Sequence, residues 1–285
     1  MVIASTSTKP FMIRAPRDIA SWAGRFDPAA LPVLQGTAAE IEALRAMEDE
    51  VDAHLLAEAI GSDPLMWLKV MAHLARLRRG REGGEPETLT AALVMIGIPP
   101  FFSAFGPQPT VEERLASCPD ALEGFRRVLA RSHRAARFAI GFAVHRMDHD
   151  APVIHDAALL HGFAELLLWL EAPELALAIA RRQSADPTLR SAVLQREVLN
   201  VDLAELQHCL MRAWRLPALL IGITDDRARR ETRQLANVRL AIRVARHSAR
   251  GWDNAALPDD IADLGALLQM SPSHVERLLR DIDRD

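Results

Sequence analysis

Apolar residues along this chain recur at intervals of three and four, as in Ile41, Leu44 and Met47, then Val51, Leu55 and Ala59, and later Leu194, Val198 and Val201. Such spacing lays an apolar stripe along one face of an α-helix. The period-two alternation of a half-buried strand is almost absent, so an all-α protein is expected. Ser62-Asp63-Pro64 has the form of a helix start, with a capping side chain followed by proline where its missing N–H costs nothing. The helix that follows should reach about residue 78. Glycines 80, 83 and 84 with Pro86 break the chain, and Thr88 opens another helix through Ile96 that ends at Gly97. Further helices are expected over 120–147, 153–170, 173–183, 187–200, 202–214, 217–222 and 227–250, with a C-terminal pair near 259–270 and 272–282.

Proline placement divides the chain. Residues 1–30, with Pro10, Pro16 and Pro28 and little periodicity, read as a partly ordered lead-in. Pro99, Pro100, Pro107, Pro109 and Pro119 mark a boundary between an N-terminal helical unit, 31–106, and a larger one, 119–285. At 285 residues and 49% hydrophobic content the chain can bury a sizeable core, and the 5% aromatic content without tyrosine argues against a sheet.

Net charge changes the picture only locally. A formal charge of −4 and a pI near 6.2 give no overall attraction to nucleic acid or to an anionic membrane, so such binding would need a local patch. Cys118 and Cys209 lie far apart and match neither a disulfide framework nor a thiolate zinc site, which points to a reducing cytoplasm. The richest apolar run, Ala157 to Leu170, contains His161 and Glu165 and is short for a bilayer, so no membrane partner is expected. Gly80 to Gly84 is not followed by the Lys-Ser/Thr of a phosphate loop, and His208 and Cys209 diverge on a helix.

Several motifs occur in a fixed order: Leu31-Pro-Val-Leu34, Ser62-Asp-Pro-Leu-Met-Trp-Leu-Lys-Val70, Thr88-Leu-Thr-Ala-Ala-Leu-Val-Met-Ile-Gly97, Leu159-Leu-His-Gly-Phe163, Glu197-Val-Leu-Asn-Val-Asp202 and Ala213-Trp-Arg-Leu-Pro217. In that order they resemble the HDOD domain, a bacterial relative of the HD metal-dependent phosphohydrolases, from about residue 31 to 222. The region 227–282 is similar to the helical extension common in the family. The resemblance implies an N-terminal helical bundle packed on an HD-like bundle, and a role in bacterial signal transduction, mostly without demonstrated enzymatic activity. Family members commonly stand beside receiver or cyclic-dinucleotide-related domains; this chain looks like a stand-alone member.

An HD hydrolase needs a histidine on one helix, a His-Asp pair on a second and a distant aspartate, converging on metal that activates water. The resemblance places the pair at His161-Gly162, where the aspartate is glycine, and the upstream histidine at His133. Glu165, four residues after His161, is expected on the same helix face. His133, His161 and Glu165 are the only set offered for a metal, and a hydrogen-bonded core cluster is the favoured reading over metal or anion binding. The distal ligand would be Asp186 or Asp202, each of which equally suits a helix cap. Where the family often shows further histidines, Leu203 and Thr224-Asp225-Asp226 stand. The adjacent pair His155-Asp156 lies about 120° around a helix from His161 and, close after Pro152, is expected in a first helical turn, where aspartate favours the positive helix end.

The strongest charge feature is Arg227 to Arg250, eight arginines against the single acid Glu231. Arg239, Arg243, Arg246 and Arg250 recur beside Leu235, Val238, Ile242 and Ala245, either as a surface for an anionic partner or paired with the acidic tail of Asp259, Asp260, Asp263, Asp281, Asp283 and Asp285. The tail segment Leu264 to Leu279 faintly resembles a helix-turn-helix, but its acidic surroundings would repel phosphates. The expectation is a non-catalytic protein without cofactor, binding a protein or a small anionic ligand, with nucleic acid an unlikely partner. The alternatives are a phosphohydrolase with altered ligands and a nucleic-acid-binding regulator working through residues 227–250.

Overall fold

Helix starts are where local chemistry is most visible. In the computed structural model, which describes residues 10–79, 85–186, 188–229 and 231–284, Asp63 accepts hydrogen bonds from the Leu65 and Met66 amides at 2.8 and 3.1 Å, and Pro64 occupies the first helical turn. Thr88 caps its helix through the Ala91 amide, and that helix ends at Gly97 with φ +84°. Gly80, Gly83 and Gly84 lie outside the described residues.

The N-terminal half comprises α1 (Ile19–Ala23), α2 (Gln35–Arg45), α3 (Ala53–Ile60), α4 (Pro64–Leu77), α5 (Leu89–Ile96), α6 (Ile98–Ala104) and α7 (Val111–Arg114). The C-terminal half begins with α8 (Pro119–His145), followed by α9 (Ala151–Leu160), α10 (Phe163–Glu171), α11 (Pro173–Ala185), α12 (Ser191–Leu199), α13 (Leu203–Ala213), α14 (Ala218–Ile223), α15 (Arg233–His247), α16 (Leu257–Leu268) and α17 (Pro272–Arg284). Among the described residues there is no sheet. One isolated parallel bridge joins Val33 to Thr110 and clamps the segment before α2 to that before α7.

Helix α8, about 40 Å long at 1.5 Å per residue, is the axis on which α9, α10, α11, α15 and α17 pack. Small residues set how closely its neighbours approach. At Gly124 a Cβ would lie 2.4 Å from the Trp169 ring, and at Gly141 it would lie 2.5 Å from Ile282 of α17. Arg134 holds the C-terminal helix through two bonds to Asp283, at 2.5 and 2.7 Å.

Three expectations need correction. Residues 10–30 are more than a lead-in: Trp22 of α1 is 1% exposed, donates its indole N–H to the Leu199 carbonyl at 2.9 Å, and brings α1 onto α13. The helix expected over 153–170 is two helices, parted at His161-Gly162, because glycine is the poorest helix former after proline. The arginine-rich helix covers Arg233–His247 only, starting from the Thr232 cap, so Arg227 and Arg250 lie outside it.

The two halves share one continuous core, from Met12 to Leu279. The run Ala151–Glu171 is long and apolar enough to cross a membrane, longer than the 157–170 stretch noted in the sequence, yet it is mostly buried inside the bundle.

Within the N-terminal half, Lys69 of α4 is 4% exposed and donates to the Leu31 carbonyl at 2.6 Å. Burial pushes its ammonium down to about 8, against the opposing pull of Asp63 and Asp27. Asp63 also accepts from the Leu34 amide at 2.7 Å, joining the start of α2 to that of α4. Burial raises its carboxyl above the ordinary value despite the amides that stabilise the charge.

Candidate functional site

The turn between α9 and α10 presents His161 and Gly162 to a cleft of about 790 Å³ that also touches α8, α13, α15 and the loop after α14. His161 Nε2 lies 3.1 Å from Asp226 Oδ2. Asp226 belongs to the Thr224-Asp225-Asp226 run, so the partner of His161 comes from the loop after α14. Burial works to raise the Asp226 carboxyl, but the hydrogen bond and charge of His161 with the charges of Arg239 and Arg246 outweigh it, and the pKa falls below the ordinary value. Arg239 further donates to the Asp226 carbonyl at 2.6 Å.

The cluster expected from His133, His161 and Glu165 does not form. His133 Nε2 lies 2.7 Å from the Ser62 carbonyl, on the N-terminal half. Glu165 sits in the first turn of α10, past the helix break, and pairs with Arg131 of α8 at 2.6 Å instead of facing His161. The reason is the break itself, which removes the one-turn relation between residues 161 and 165. A Cβ on Gly162 would lie 3.4 Å from Ser132 Oγ and 3.7 Å from Val128, so Ser132, the neighbour of His133, and Val128 are the α8 residues that meet this turn.

Asp202 caps α13 through the Ala204 amide at 2.8 Å and stands 3.5 and 3.7 Å from Arg196 and Arg227. It lines the same cleft as His161. Asp186 follows α11 and is held by Thr188, whose hydroxyl and amide bonds lower its pKa. No group of three or more His, Cys, Asp or Glu side chains among the described residues is gathered to hold a metal ion. The residues present therefore do not fit an HD metal centre: one carboxylate faces His161, and the others are taken by arginines and amides.

His155 and Asp156 also differ from expectation. The first turn of α9 carries no acid, and Asp156 lies in the second turn, 9% exposed. It accepts from the Trp67 indole N–H of α4 at 3.0 Å while His155 Nδ1 approaches its other oxygen at 3.0 Å. Its role is to join the two halves, because a buried carboxylate needs donors more than it needs a helix dipole.

The arginines divide into two groups. Arg239 binds Glu231, and Arg243 forms ion pairs with Asp260 and Asp263 of α16 at 2.6 and 2.8 Å, so part of the acidic tail does neutralise this helix. Arg227 pairs with Glu205. Arg246 and Arg250 contact no acid among the described residues and line the clefts around Glu165. Sequence reasoning passed over Arg127, Arg181 and Trp169, which line them too. The four-residue step from Arg127 to Arg131 was the available signal on α8.

The HDOD domain model matches residues 31–227. No curated protein matches the chain in sequence. Among solved structures, the chain is similar to the MmoQ response regulator from Methylococcus capsulatus str. Bath, with 20% identity, TM-score 0.66, and coverage of 88% of this chain and 98% of that one. It is also similar to a virulence factor from Campylobacter jejuni subsp. jejuni, with 16% identity, TM-score 0.62, and coverage of 89% and 95%. These likenesses agree on the fold, and the family match spans the motifs from Leu31 through Pro217. This chain belongs to the HDOD domain family.

Proposed function

We propose that this protein is a non-catalytic HDOD signal-transduction component that acts by binding a partner or ligand. The observation that supports it most is the pairing at the α9–α10 turn. Where HD chemistry needs a carboxylate, Gly162 has none, and both candidate histidines are engaged elsewhere, His161 with Asp226 and His133 with a backbone carbonyl. Metal-activated water needs several converging ligands, and losing an oxygen ligand removes charge as well as geometry. The name of the Methylococcus neighbour, a response regulator, fits a signalling role. Free Cys118 and Cys209 fit a reducing cytoplasm. A nucleic-acid role gains little support, since Arg239 and Arg243 are tied to acids of their own chain.

The test is metal analysis of the purified protein together with assays on a panel of nucleotides and phosphodiesters. We expect no near-stoichiometric transition metal and no hydrolysis. The Gly162→Asp variant should remain metal-free, because His133 is held on Ser62. Metal and hydrolysis that both disappear in His161→Ala would overturn the proposal.

A further inference from the structure

On the far side of the Arg131–Glu165 pair lies a second cleft, about 750 Å³, and a recess of about 300 Å³ connects it with the His161 cleft. All three share Arg131 and Glu165. The walls of the second cleft are α8, α10, α11, the C-terminal end of α15 and the turn after it. Eight arginines and five carboxylates line the joined groove, a cationic excess in a chain whose net charge is −4. Most of the acids are already neutralised: Glu165 by Arg131, Asp226 by His161 and Arg239, Asp202 by Arg196 and Arg227. Asp120 and Glu123, near the start of α8, are the exceptions.

Five arginines remain. Among the described residues, Arg127, Arg181, Arg190, Arg246 and Arg250 make no side-chain hydrogen bond or contact ion pair, although the Arg246 charge is felt at Asp226. Arg190 stands before α12 at the His161 end, and the other four, on α8, α11, α15 and the turn after α15, surround the far cleft and the recess. A second, independent feature lies in the wall itself. Trp169 is 4% exposed and lines both the far cleft and the connecting recess, yet its indole N–H has no acceptor. The close approach to Gly124 holds the ring in place. A buried donor left unpaired is costly, and an acceptor oxygen would relieve that cost.

We propose that this groove is a binding site for a small ligand bearing several phosphate charges, gripped by Arg127, Arg181, Arg246 and Arg250 with the Trp169 indole as a further donor; the assignment rests on the ligand-binding reading above. Guanidinium groups match phosphate oxygens in paired hydrogen bonds. Arginines spread over three walls suit a chain of phosphates better than one carboxylate. The cleft volumes fall within the roughly 300–1,000 Å³ typical of small-molecule sites.

The probes are inorganic tripolyphosphate and ATP, titrated calorimetrically into the full chain in chelator, with Arg181→Glu, Arg250→Glu and Trp169→Phe as groove variants. Arg126→Glu, an exposed arginine of α8 outside the groove, is the control. We expect one saturable site, weakened about tenfold or more by either arginine variant, severalfold by Trp169→Phe, and little by the control. Tighter binding of ATP than of tripolyphosphate assigns a nucleotide, and equal binding assigns free polyphosphate. Absence of saturable binding overturns the site, as does an equal loss in Arg126→Glu or tighter binding of a short oligonucleotide that depends on Arg126. Hydrolysis of the probe in a parallel incubation with added divalent metal and no chelator would instead overturn the non-catalytic reading while leaving the groove as its site.

Discussion

Lys69 brings a positive charge into the N-terminal core, and the composition makes its titration readable. The chain has one other lysine, Lys9, and no tyrosine, so few side chains compete in the alkaline range. The unfolded lysine keeps its proton to 10.5 while the folded one releases it at about 8. Between those values the unfolded state binds more protons, so this residue's contribution makes stability rise with pH, by up to about 3 kcal/mol across the window. Urea unfolding of the wild type and Lys69→Met at pH 7.5 and 10 checks this: the wild type should gain relative to the variant, and a pH-independent gap would contradict the prediction. The cap at Asp63 was legible because it needs only its own helix start. Its bond to Leu34, and the link of Asp156 to Trp67, were not, since each partner comes from a distant stretch. His133 misled for the same reason: the motif gives its place in the chain, while the Ser62 carbonyl decides where the ring goes.

At the scale of elements, close approach is the sensitive variable. Helix α8 meets α10 across Gly124, where any side chain would strike the rigid Trp169 ring. Gly124→Ala should cost about 2 kcal/mol or more despite the gain in helix propensity, because overpacking outweighs it. A lowered urea midpoint with an unchanged slope would show the effect, and a stabilised protein would refute it. Periodicity located most helices, since an apolar stripe must face a core, but it passed over α6 and α7, which lie in the proline-rich stretch read as a boundary. It joined α9 to α10 because the stripe continues across His161-Gly162 while the backbone does not. It missed α1 although Ile19, Trp22, Ala23 and Phe26 carry helical spacing, because surrounding prolines suggested a loose lead-in. The start of α15 was misplaced among arginines, whereas Thr232 was an available cap.

For the whole molecule, the boundary drawn at the prolines separates two sets of helices but not two cores. The buried cluster runs through both, and Trp67–Asp156, His133–Ser62 and Trp22–Leu199 cross between them. Trp67→Phe removes one such bond at a cost of about 1–3 kcal/mol and should lower a single transition without splitting it. Circular dichroism and tryptophan fluorescence melts that coincide would agree, and two separated transitions would not. The family and the all-helical fold were legible as ordered motifs. The groove was not, because it is assembled from α8, α11 and α15. The docking of α1 also bears on how the protein is made. Trp22 waits for the carbonyl of Leu199, 177 residues later. At a synthesis rate of about 5–20 residues per second, that interval is on the order of ten to thirty seconds. During it the nascent chain carries Trp22 and Phe26 without their seat on α13, so α1 is a latch that closes only when most of the protein has left the ribosome.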